Sequence, residues 1–79
     1  MTLTKKDVAV PKAAICFGCN QPFEGNPVGR QFRSDLLSPS SQGELAGLYF
    51  HPGHLLRYAR RRNWTALAEF LEANGPSNY

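Results

Sequence analysis

The chain has 79 residues, enough for one small domain, and 42% of them are hydrophobic. That fraction is ordinary for a globular protein and argues against wholesale disorder. The formal net charge is +3, a mildly basic balance that is compatible with nucleic acid without demanding it. No run approaches the roughly 18 apolar residues of a transmembrane helix. The polar start also lacks the apolar region of a secretory signal. We therefore expect that the protein is not secreted. It is expected to be cytoplasmic or, in a eukaryote, nuclear.

The first predicted segment is a flexible basic arm over residues 1–12. It carries Lys5, Lys6 and Lys12 with little apolar periodicity, as mobile termini often do. A single zinc-binding domain is expected over residues 13–75, and residues 76–79 are a C-terminal tail.

Short strands and a loop are predicted next. Residues 13–23 read as a short strand running into a tight turn, where Gly18 supplies backbone freedom. Weak alternation over residues 28–33 predicts another strand. Residues 34–44 are rich in Ser, Pro and Gly and predict a loop, after which residues 45–50 return as the partner strand of a β-hairpin.

A helix is predicted from about Pro52 to Arg62, since proline is favoured at the first helical position. Asn63 would fall within the apolar face of a longer helix. We therefore expect a kink or a new start near Asn63 or Thr65. A second apolar stripe then continues to about Ala73, before Gly75 and Pro76 stop the helix.

Every cysteine and histidine of the chain falls in the pattern C-x2-C-x31-H-x2-H, formed by Cys16, Cys19, His51 and His54. Two thiolates and two imidazoles suit a tetrahedral structural zinc with no open position. The pattern predicts one Zn²⁺ per chain, with Phe23 packed beneath it. The alternative is a redox CxxC with two unrelated surface histidines, but the thioredoxin-type context is missing.

The predicted fold is a small α+β zinc-stapled domain, in which a zinc knuckle and β-hairpin precede a C-terminal helix or two helical segments. The segments C-F-G-C at residues 16–19, P-F at 22–23 and Y-F-H-P-G-H at 49–54 resemble a treble-clef zinc finger. They are similar to half of a LIM domain and to a zinc finger of poly(ADP-ribose) polymerase type. Both families normally end the motif in Cys where this chain has His54.

The resemblance implies two different functions, because LIM modules bind proteins and the polymerase-type fingers bind damaged DNA. We favour a stand-alone regulatory module that binds nucleic acid or a nucleic-acid-handling, transcription-type complex through a basic helix face. Arginines contact phosphates and a tyrosine can stack on a base, although a short charge run is often only a solvated face. The candidate residues are Arg57, Tyr58, Arg60, Arg61 and Arg62 with Lys5 and Lys6, supported by Lys12, Arg30 and Arg33.

Within that helix, Arg57 and Arg61 lie opposite the apolar side and are expected to reach outward. Arg62 lies nearer the apolar side and is expected to lay its stem over an aromatic ring.

The alternative function is a protein-only adaptor that docks a partner through the apolar C-terminal helix. Its candidate residues, which can equally form the core, are Trp64, Leu67, Phe70 and Leu71. No enzyme is predicted, because both histidines are used as ligands and no catalytic triad or phosphate-binding glycine loop remains. We expect no membrane partner and no small-molecule substrate.

Overall fold

Two strands and three α-helices form a small α+β structure in a computed structural model that describes residues 3–25 and 28–79. The elements are β1 (Leu3–Ala9), β2 (Val28–Ser34), α1 (Pro39–Ala46), α2 (Leu55–Arg61), α3 (Thr65–Asn74) and a 3-10 helix (Pro76–Asn78). None of the helices in the described ranges has the length and apolarity needed to cross a membrane.

Strand β1 occupies the segment that we expected to be a flexible arm. It pairs antiparallel with β2, with Lys5 opposite Phe32 and Lys6 opposite Gln31. The Asp7 carboxylate accepts a hydrogen bond from the Arg30 guanidinium at 2.8 Å. The prediction was wrong because cross-strand pairs, rather than an apolar alternation, hold this strand in place.

Helix α1 lies where we expected a loop and the start of a partner strand. Ser38 caps it, since the Ser38 hydroxyl accepts a hydrogen bond from the Ser41 N–H at 3.4 Å, and Pro39 takes the favoured first position. Leu45 is fully buried near the end of this helix. Of residues 45–50, only Phe50 joins the sheet, through an antiparallel bridge to Arg30 on the second edge of β2.

The helical region breaks at Asn63, as predicted. Asn63 has φ of +58°, a left-handed conformation that asparagine tolerates better than most residues. Helix α3 then begins at Thr65. The predicted start of α2 was wrong, however. It begins at Leu55 rather than Pro52, because Gly53 has φ of +83° and keeps the preceding turn out of helical geometry.

The apolar core joins β2 to all three helices. Its largest fully buried side chains are Phe32, Leu45, Phe50, Leu55, Leu67 and Leu71. The segment that we predicted to be a tail adds to this packing, because the Tyr79 ring lies 6.1 Å from the Phe70 ring. The Tyr79 carbonyl also accepts a hydrogen bond from the Gly53 N–H at 3.1 Å, so residues 76–79 are part of the domain.

Candidate metal centre

The four predicted ligands come together at one point between the turn after β1 and the turn before α2. Their ligand atoms all lie within 4.8 Å of one another. Cys16 Sγ is 3.5 Å from His54 Nδ1, and Cys19 Sγ is 3.4 Å from His51 Nδ1. Each cysteine therefore faces one histidine through the nitrogen nearer the backbone.

These distances suit a tetrahedral zinc. With Zn–S of about 2.3 Å and Zn–N of about 2.0–2.1 Å, sulfur and nitrogen ligands of a regular tetrahedron lie about 3.6 Å apart. The two measured sulfur–nitrogen distances are close to that value. Two sulfurs and two nitrogens are also a donor set that zinc prefers. The arrangement can hold one metal ion, for which zinc is plausible.

Backbone hydrogen bonds prepare Cys16 for metal binding. Its side chain is fully buried, and its sulfur accepts hydrogen bonds from the Gly18 N–H at 3.3 Å and from the His51 N–H at 3.2 Å. Such donors fix the orientation of a metal ligand. Because one donor comes from each half of the motif, the same sulfur also helps to join the two turns.

The protonation of two ligands follows from burial. Burial raises the pKa of the Cys19 thiol, and the neighbouring Cys16 adds to that rise. Burial lowers the pKa of His54, as do the electrostatic interactions of its ring with Arg57 and His51. In the absence of metal, the Cys19 thiol is therefore protonated and the His54 imidazole is neutral at neutral pH. Metal binding then releases the thiol proton.

Gly18 is needed for a reason that differs from the one expected. The residue with positive φ in the knuckle is Asn20, at +60°. Asparagine adopts positive φ more readily than most residues, so an asparagine directly after Cys19 could have indicated this turn. At Gly18 the constraint is space, since a Cβ there would lie 2.4 Å from the His54 carbonyl oxygen and 2.6 Å from the His54 Cβ. The knuckle thus packs directly on the start of α2.

Two further residues hold the ligands from outside. The Phe23 ring centre lies 4.4 Å from the His51 ring centre, with the two rings tilted by 39°, which places Phe23 against the site as predicted. Arg61 donates hydrogen bonds to the Phe17 carbonyl at 3.2 Å and to the Gly18 carbonyl at 3.0 Å. The prediction that Arg61 reaches outward was therefore wrong. No local signal marks this role, because the two segments meet only in the folded chain.

Most of the predicted basic helix face is engaged within the domain. Arg60 pairs with Glu72, and Arg62 pairs with Glu44 at 2.7 Å. Tyr58, which we expected to be available for stacking, is 9% exposed and donates its hydroxyl proton to Glu44 at 3.2 Å. These contacts form because acidic side chains of α1 and α3 lie against α2, and the binding role of this helix face stays a prediction. Arg62 lies over an aromatic ring, but through its guanidinium rather than the predicted stem: the guanidinium carbon is 5.8 Å from the Trp64 ring centre.

The other candidate cations divide into two groups. Lys5 donates a hydrogen bond to the Asn78 carbonyl and lies over the Tyr79 ring, and Arg30 pairs with Asp7. In contrast, the cationic groups of some exposed side chains have no hydrogen bond or ion pair to any residue that the structure describes; they are Lys6, Lys12, Arg33 and Arg57.

The alternative docking residues are mostly interior. Leu67 and Leu71 are fully buried, so they cannot serve as an exposed docking surface in this fold. Trp64 and Phe70 are partly buried and pack against the same core. The stripe on α3 was thus correctly recognised as apolar, and half of it belongs to the core.

Comparisons with known proteins assign no family to the chain. The chain matches no protein-family model. It also matches no curated protein and no solved structure. The four converging ligands are consistent with a zinc finger, and the choice between the LIM-like and polymerase-like types stays a prediction.

Proposed function

We propose that the chain is a non-catalytic zinc module whose metal is structural. The observation that carries this proposal is the convergence of all four cysteine and histidine side chains, within 4.8 Å, from segments far apart in the sequence. A single ion would join the turn at Cys16 and Cys19 to the turn at His51 and His54. Four protein ligands leave no position for a substrate, in keeping with a binding protein rather than an enzyme.

The order of the ligands supports a treble-clef-like role for the metal. The first pair lies on a knuckle and the second pair directly precedes α2, so the ion would fix the start of that helix against the knuckle. The strand pairing differs from our expectation, because the hairpin is made with β1. The likeness to a treble clef therefore rests on the knuckle and the helix.

Metal analysis tests this part of the proposal. Protein purified without added metal should contain one zinc per chain by elemental analysis, and a thiol reagent should find Cys19 protected until a chelator is added. Cys19→Ser is the test variant, and Gln21→Ala, an exposed neighbour, is its control. A metal-free protein with two reactive thiols would overturn the assignment.

We further propose that the module acts as a regulator by binding nucleic acid or a nucleic-acid-handling complex. The support is electrostatic: the net charge is +3, and four exposed cations have no partner among the described residues. Such cations can neutralise phosphates and release counterions. Zinc leaves the balance unchanged, because two thiolates offset its charge.

Fluorescence anisotropy with labelled duplex DNA, duplex RNA and single strands, at low and high salt, tests this second part. We expect binding that weakens as salt rises. If no nucleic acid binds at low salt and a protein partner is lost on Trp64→Ala or Phe70→Ala with the fold intact, the adaptor function replaces this one.

A further inference from the structure

The outer face of the β1–β2 hairpin carries cations that nothing in the described fold neutralises. We define this outer face by the cross-strand pairs Thr4–Arg33 and Lys6–Gln31, which the antiparallel register places on one side of the sheet. Thr4, Lys6 and Arg33 are exposed. The opposite side of the hairpin turns Phe32 into the core. The exposed cations Lys6 and Arg33 thus lie on the outer side of the ribbon, whereas Lys5 and the Asp7–Arg30 pair share the other side with Phe32.

A groove with a volume of about 390 Å³ runs along this outer face. Its lining residues are Thr4, Lys5, Lys6, Gln31, Phe32, Arg33 and Ala46, among which there is no carboxylate. The Gln31 amide donates to the Ala46 carbonyl at 3.3 Å, and the Thr4 hydroxyl donates to the Arg33 carbonyl at 3.4 Å. The groove is therefore built from fixed backbone, with two cationic side chains left unpaired.

The cations of the outer face differ from those of α2 in whether a carboxylate already pairs with them. Arg60 and Arg62 have carboxylate partners on neighbouring helices, so an external anion would have to compete with Glu72 and Glu44. Lys6 and Arg33 face no such competition from any described residue. An external anion would gain more from these two than from Arg60 and Arg62.

We infer that the outer face binds double-helical DNA through its phosphates. This inference rests on the proposed nucleic-acid function and gives it a site. A two-stranded ribbon is one of the shapes that the major groove of B-DNA, about 12 Å wide, admits. Lysine and arginine contact phosphates, while threonine and glutamine hydrogen-bond to phosphates or base edges.

The chemistry of the face favours a duplex over a single strand. Single-strand binding relies on aromatic side chains on which bases stack, and the aromatic residue of this groove, Phe32, is only 1% exposed. A-form RNA is disfavoured as well, because its major groove is deep and narrow.

The far end of the face is closed and linked to the metal centre. A Cβ at Gly29 would lie 2.5 Å from Val10 Cγ1 and 3.2 Å from the Phe23 ring, so these two side chains cover that end. The Phe23 ring also contacts the ring of the candidate ligand His51. The open half of the face is therefore the half that carries Lys6 and Arg33, and a metal bound at His51 would support the closed half through Phe23.

The test compares two double variants of equal charge on the zinc-loaded full chain, with a labelled duplex DNA as the probe. Lys6→Ala with Arg33→Ala should lower the slope of log affinity against log salt by about two units, one for each lost phosphate contact. Arg60→Ala with Arg62→Ala, which removes two cations that already have carboxylate partners within the domain, should leave the slope nearly unchanged. Zinc content and the thermal midpoint of each variant report on folding.

Amide NMR of the wild-type protein provides a second measurement that needs no variant. Duplex DNA should shift the amide signals of Thr4, Lys6, Gln31 and Arg33 more than those of α2. The inference is overturned if the slope falls only in the second double variant, if the shifts map to α2, or if duplex RNA or a single strand binds more tightly. Absence of binding to every nucleic acid would overturn the proposed function as well.

Discussion

The ligand end of the molecule, residues 16–23 and 49–54, and its helical end, formed by α1, α2 and α3, are held together in different ways. The ligand end consists of turns, crossed by a few backbone hydrogen bonds such as Phe17 N–H to the Tyr49 carbonyl at 3.1 Å. The helical end buries Leu45, Leu55, Leu67 and Leu71 completely. A chain this short has few apolar side chains to spare for the ligand end, so we expect that end to depend on a metal held by the four ligands.

The boundary between the two ends lies at the start of α2. His54 is the last ligand and Leu55, directly after it, is fully buried. Zinc would therefore act on the apolar core by fixing where α2 begins, while the core would fix the histidines for the metal. The two ends should therefore respond to different substitutions.

Loss of the metal should have the largest effect. Structural zinc contributes on the order of 10 kcal/mol of apparent binding energy at neutral pH. We expect chelation, or Cys19→Ser, to lower the thermal midpoint and to remove the dispersed NMR signals of residues 16–23 and 49–54 before those of α3. Gln21→Ala, which changes an exposed residue of the same knuckle, should keep both. An unchanged midpoint after stoichiometric zinc is removed would show that the two ends do not differ as argued.

Truncation in the core should have a smaller effect, on the other end. Leu67 is fully buried in α3, and Leu67→Ala should lower the free energy of unfolding by about 2–5 kcal/mol. Glu69→Ala, at an exposed position of the same helix, should change it by less than about 0.5 kcal/mol. Denaturant unfolding measures both. At denaturant concentrations below its unfolding midpoint, the Leu67→Ala variant should still bind one zinc. If it lost as much zinc as Cys19→Ser, the two ends would form a single cooperative unit.

The sequence was informative where residue type alone restricts the structure. Zinc ligands are few in kind, so the four side chains that converge could be named from their spacing. The break before α3 was predictable for a similar reason, since Asn63 interrupts an apolar face and asparagine tolerates the positive φ found there.

The strand pairing was not predictable, because it depends on contacts between distant segments. In β1 the side chains on the inner side include Lys5 and Asp7, so no apolar alternation marks a strand. For α1, the composition of residues 38–43 suggested a loop, yet Ser38 followed by Pro39 is also a helix-start signal. The engagement of Arg60, Arg61 and Arg62 required knowledge of which segments fold back onto α2.

The smallest predicted effect tests the contact between the knuckle and α2. At Gly18 an added Cβ would meet the His54 carbonyl oxygen at 2.4 Å, and backbone cannot move aside without displacing a ligand. Gly18→Ala should therefore cost about 1–3 kcal/mol and weaken zinc binding in a competition titration. Gly43→Ala is the matched control: it lies within α1 with nothing within 4 Å of the new Cβ, and should stabilise by about 0.5–1 kcal/mol. Destabilisation by Gly18→Ala together with stabilisation by Gly43→Ala would locate the contact at Gly18. A Gly18→Ala variant with unchanged thermal midpoint and zinc affinity would show that the knuckle does not pack on His54.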